Sequence, residues 1–225
     1  MSTTTITLRA DGTLDEPTLR STAVGIGKYA TNSQEGRILG DPVFEMITEK
    51  RNHSPGYSCC GDVVHFMLSR LGLKDPTIVN RNDTTKWQSG LNISKLRYGS
   101  AKVGAWVDYK PGLLAKPGDA MIIGNDNAST HTFIVQEHTT SSLFSCDGGQ
   151  FNLKEGPYNK KIGQPAINMC MREMKIMLGS LYTGTVEKNN WRRIMGWIDI
   201  SKINFPDQVD LDDDIFVDFV ENPYA

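Results

Sequence analysis

Apolar residues recur along this chain in two rhythms, one of three to four residues and one of two. The first runs through three stretches. From Asp15 to about Ala30, Leu19, Ala23, Ile26 and Tyr29 share one side of a predicted helix, although two glycines interrupt it. Asp41-Pro42 is suited to open a second helix with Val43, Met46 and Ile47 as its apolar face. After the turn formers Ser54, Pro55 and Gly56, Val63, Val64, Met67, Leu68 and Leu71 predict a third helix, and Gly72 stands where a left-handed cap would end it.

The rhythm of two follows later. Pro117-Gly118-Asp119 predicts a turn into a strand from Ala120 to Ile123, and GNDNAST a loop before a strand from His131 to Gln136. In that strand His131, Phe133 and Val135 share one face, while Thr132, Ile134 and Gln136 share the other. Residues 141–147 predict a third strand, 166–174 another, and 191–200 a closing one. The stretch between Gly72 and about residue 100 has little regularity, with Ile78, Trp87, Leu91, Ile93 and Leu96 as scattered anchors, and 96–111 reads as partly extended. So long a connection suits a site wall or lid. The first 13 residues read as a polar arm.

The expected fold class is α+β: helices on an antiparallel meander. Its third helix carries Cys60 on the first turn, four residues before Val64 and seven before Met67, hence on the buried face. A cysteine there can simply be a small core residue. A helix N-terminus, however, also favours thiolate through the macrodipole and unpaired N–H groups. The partners decide between these. His131 opens one strand and Asp147 ends the next, and a short antiparallel connection brings such positions together. Cys60, His131 and Asp147 are therefore the candidate catalytic set, with Gln150 a second candidate for the third place and Asp126 or Asn127 in the loop before the histidine.

SCCGDVVHFML, KPGDAMIIG and HTFIVQE, in that order over about residues 54–150, resemble the papain-like cysteine hydrolases of the NlpC/P60 and CHAP type. The resemblance implies a single hydrolase domain over 1–206, with its nucleophile helix packed on an antiparallel sheet and N-terminal helices over about 15–50. It implies cleavage of an amide bond, in a peptidoglycan stem peptide or where that peptide joins the sugar, by a bacterial or phage protein. Family members commonly show Asp-Cys-Ser-Gly, whereas this chain has Ser58-Cys59-Cys60-Gly61-Asp62. The family glycine selects Cys59, the two apolar residues select Cys60, and the apolar register is preferred because burial constrains a helix more than one glycine. Tyr57 is the candidate for the family's oxyanion-region tyrosine. Alternatives are a deamidase or acyl-transfer effector acting on a protein glutamine, and a silent binding module of the same fold.

Composition adds mostly exclusions. The chain has 225 residues, 39% of them hydrophobic, a net charge of -2 and a pI near 6.1, so no basic excess points to nucleic acid. No stretch approaches the ~20 apolar residues of a membrane span, and the start lacks a Sec-type apolar segment. A cytoplasmic protein, or one exported by a non-Sec route such as phage lysis or a secretion machine, is expected. Four cysteines, none spaced C-x-x-C, make neither a disulfide scaffold nor a metal site, and no metal or cofactor is expected. Cys146 and Cys170 read as core, His65 as pointing away from Cys60, His53 as a loop residue, and His138 as solvated. Residues 207–225 form an acidic tail suited to a solvated arm or a protein partner.

Overall fold

The computed structural model describes residues 14–32, 60–71, 93–125, 128–148, 170–177, 179–182, 191–203 and 205. The expected polar arm, the helix at Asp41-Pro42, most of the 73–100 connection and the acidic tail lie outside these residues. Among those described, the architecture is α+β: three α-helices and seven antiparallel strands.

Helix α1 spans Glu16–Asn32. Asp15 caps it, its carboxylate accepting the Thr18 N–H at 2.8 Å, and Pro17 sits in the first turn where a missing N–H costs nothing. Leu19, Ala23 and Ile26 are buried as their spacing requires. One of the glycines that weakens the helical pattern has a packing reason. A Cβ on Gly27 would stand 3.1 Å from Cys146 Sγ and 3.1 Å from Ile134 Cδ1, so the bare backbone lets α1 lie close on the sheet. Helix α2, Cys60–Arg70, buries Val63, Val64, Phe66, Met67 and Leu68, with Leu71 just past its end. Helix α3, Ile93–Lys102, takes up the first part of 96–111, which reads in sequence as partly extended, and only Trp106–Asp108 of that stretch is strand. Ile93, Leu96 and Ser100 form its buried side, and the Ser100 hydroxyl donates back to the Leu96 carbonyl at 2.8 Å. Only two of these three are apolar, which hid the period.

The strands are β1 (Trp106–Asp108), β2 (Ala120–Asn125), β3 (Ala128–His138), β4 (Ser142–Asp147), β5 (Cys170–Met177), β6 (Ser180–Tyr182) and β7 (Trp191–Ile198). They run in the order β1-β7-β2-β3-β4-β5-β6, and β6 pairs again with β7. The sheet therefore closes on itself: β7 gives one edge to β2 and divides the other, Trp191–Arg193 to β6 and Gly196–Ile198 to β1. Closure gives the sheet two faces with separate cores. Met121, Ile123, Phe133, Val135, Leu143, Met174, Leu181, Ile194 and Trp197 fill the interior. Ala120, Ile122, Ile134, Cys146 and Ile198 point outward and pack with the helices.

The Pro-Gly-Asp turn predicted before β2 ties these layers together. Asp119 N–H donates to the Lys116 carbonyl at 3.1 Å, closing a turn with Gly118 at φ +86°. A Cβ there would lie 2.9 Å from Ile200 Cδ1 and 3.0 Å from Ala23 Cβ. Glycine is thus required by conformation and by space. Strand β3 is longer than predicted, taking in Ala128–Thr130, which the sequence suggested as loop.

Candidate active site

Cys60 is the first residue of α2, and the structure sets it beside the barrel end where β3 and β4 bring their polar residues. On β3 the row Val135, Phe133, His131 runs from the barrel interior toward its end, and the His131 ring stands 5.7 Å from that of Phe133. Both ladders of β2 change register here. Ile123 pairs with His131 while Gly124 pairs with Ser129, and on the other edge Ile122 pairs with Gly196 while Ile123 pairs with Ile194. The extra residue before His131 is a β-bulge, a device that re-aims a side chain next to a site.

His131 Nε2 is hydrogen-bonded to Asp147 Oδ1. The Cys60 side chain is hydrogen-bonded to the same imidazole. The three residues predicted from the sequence are thus brought together, with the histidine in the middle. All three are withdrawn from water, Cys60 being 4%, His131 7% and Asp147 0% exposed. Burial alone pushes the His131 imidazolium down, but hydrogen bonds and charges from Asp147 and Cys60 outweigh it and lift the pKa to about 9. A proton is therefore stored on His131 at neutral pH.

A fourth residue was not foreseen. Ser145 is fully buried, and its hydroxyl donates to Asp147 Oδ2, the carboxylate oxygen turned away from the histidine. The alternation of β4 carries the signal, since residues two apart in a strand share a face.

Tyr57, Cys59, Gln150, Asp126, Asn127 and His53 lie outside the described residues. His65, read from its spacing as pointing away from Cys60 with a surface or core role, is buried within α2. His138, expected in solvent, is instead buried on β3: its Nδ1 accepts the Ala115 N–H at 2.8 Å and its ring meets Trp197 edge-on at 6.2 Å. Burial pushes its pKa down to about 4, so it is neutral and structural. Cys146 is a buried thiol on the outer face, packed against Gly27. Among the described residues no group of three His, Cys, Asp or Glu side chains is placed to hold a metal ion, and no helix is long and apolar enough to cross a membrane.

A second polar centre joins distant parts of the chain. The Arg20 guanidinium on α1 donates to Glu16 at 2.8 Å, Asp119 at 2.7 Å, the Pro117 carbonyl at 3.1 Å and Asp199 at 2.7 Å. Burial pushes Asp119 up to about 6 against the pull of Arg20 and of the Lys116 N–H, and it stays charged at neutral pH. No protein-family model matches the chain, and no curated protein matches it in sequence.

Proposed function

We propose that the chain is a cysteine hydrolase of the papain-like NlpC/P60 or CHAP kind, cleaving an amide bond through Cys60, His131 and Asp147. The observation that carries the reading is the buried chain of hydrogen bonds from a helix-start thiol through His131 to Asp147. A protonated His131 beside it favours the thiolate form of Cys60, the form able to attack an amide carbonyl. The tetrahedral oxyanion that forms meets the first N–H groups of α2, which have no partner inside the helix. His131 then gives its proton to the leaving nitrogen, the C–N bond breaks, and a thioester remains on Cys60. His131, now neutral, takes a proton from water, whose oxygen displaces the thiolate. Asp147 holds the ring in one tautomer and balances its charge throughout. The resemblance described above makes peptidoglycan peptides the substrate class.

The test is alkylation by iodoacetamide at about pH 6, where an ordinary thiol of pKa ≈ 8.5 is almost wholly protonated. The label, located by mass spectrometry, is expected rapidly and selectively on Cys60 and at least tenfold more slowly in His131→Ala. Label on Cys59 moves the nucleophile by one residue and keeps the chemistry. Slow, equal labelling of all four cysteines, or no response to His131→Ala, overturns the hydrolase reading. With reactivity established, isolated cell-wall peptides and glutamine-bearing proteins distinguish peptidase from deamidase.

A further inference from the structure

We infer that Ser145 is a positioning residue of the site, its hydroxyl giving Asp147 Oδ2 a buried partner and fixing which carboxylate oxygen faces His131. The inference rests on the reading of Cys60, His131 and Asp147 as one working set. A carboxylate with no exposure has lost its water, and a buried ion pair is favourable only when further hydrogen bonds satisfy its remaining lone pairs. Asp147 divides its oxygens: Oδ1 bonds His131 and Oδ2 receives the Ser145 hydroxyl. Ser145 is itself fully buried on β4, where it pairs with Val135 on one side and Arg172 on the other, so the donor is held by two ladders. Its carbonyl is also engaged, by Gln136 Nε2 at 3.1 Å. The hydroxyl is thus delivered by the backbone of a central strand rather than by a mobile loop.

The consequence is specific in sign. Removing a hydrogen-bond donor from a buried carboxylate raises its proton affinity. Asp147 then competes for the shared proton, neutralises more readily, and supplies less charge to hold the imidazolium. The ring loses part of what lifts it, and its titration moves downward. Among the described residues, Asp147 on β4 and Cys60 on α2 act most strongly on the ring, and only the first is altered by the change.

The experiment is NMR titration of the His131 imidazole in the full chain, in wild type, Ser145→Ala, Ser145→Thr and Ser145→Cys. Ser145→Ala is expected to lower the midpoint by about one unit, a tenfold weaker hold on the proton, without changing the folded spectrum. Ser145→Thr keeps the hydroxyl and is expected to stay near wild type, while Ser145→Cys, with a weaker donor, falls between. An Ala midpoint equal to wild type overturns the inference. So does a Thr midpoint equal to that of Ala, because the hydroxyl would then not be the cause. Thiol reactivity is read separately by alkylation of wild type. An unreactive Cys60 with a shifted Ser145→Ala titration therefore fails the hydrolase reading alone, and a reactive Cys60 with an unshifted one fails this inference alone.

Discussion

A histidine set between a thiol and a carboxylate titrates as a member of that set, so its charge state reports the geometry around it. With its folded pKa raised to about 9, His131 binds its proton more tightly folded than unfolded. Its contribution to stability is full below the unfolded value of about 6.5 and is lost as pH rises through about 9. Asp147→Asn keeps the shape of the partner and removes its charge. In that variant the His131 midpoint, read by NMR, is expected to fall toward about 6.5, and the alkaline loss of stability with it. A wild-type midpoint already near 6.5 would contradict the buried chain of hydrogen bonds. His131 and Asp147 were legible because both sit at strand positions that short-range alternation fixes. Ser145 was equally accessible by the same parity with Asp147, but serine carries no charge and draws no notice in a sequence. His138 went the other way: its place just past the predicted strand end suggested solvent, and only the fold reveals that the Ala115 N–H needs an acceptor there.

At the level of elements, whatever packs through a continuous apolar stripe was readable, as in α2 and β2–β4. The start of β3 and the whole of α3 were not, because their residues are polar or small and are held by ladder pairing and by a few anchors. The Pro-Gly-Asp turn belongs to both categories. As a turn it was plain in the sequence, but its position beneath α1, with Ala23 and Ile200 crowding Gly118, follows only from three dimensions. Gly118→Ala would force an L-residue to φ +86° and push a methyl into two side chains. The expected cost is about 2–4 kcal/mol, combining backbone strain with overpacking. Chemical denaturation measures it, and a loss below about 0.5 kcal/mol would mean that the turn can relax in a way this packing denies.

Across the whole molecule, stability and shape have different sources. Each fully buried Val, Leu, Ile, Phe or Met side chain of the two cores contributes about 1.5–3 kcal/mol, and that sum outweighs any single polar link. Arg20 instead fixes where things go, joining α1 to the turn at Asp119 and to Asp199 just after β7. Arg20→Met would leave the Asp119 carboxylate, 1% exposed, without its counter-charge, at a cost of about 3–5 kcal/mol. The urea midpoint should drop accordingly, and a loss under about 1 kcal/mol would show that the carboxylates find other support. Neither this clasp nor the ring of strands was legible beforehand, because both pair residues that are remote in sequence, and periodicity speaks only of neighbours. The ring has a temporal side as well. Until residues 191–198 are synthesised, β2 and β6 each present an unpaired edge. A nascent chain at that point carries His131 and Asp147 on an open sheet whose rims can join those of another chain. The strand that completes the barrel therefore also ends the interval in which the chain is vulnerable to aggregation.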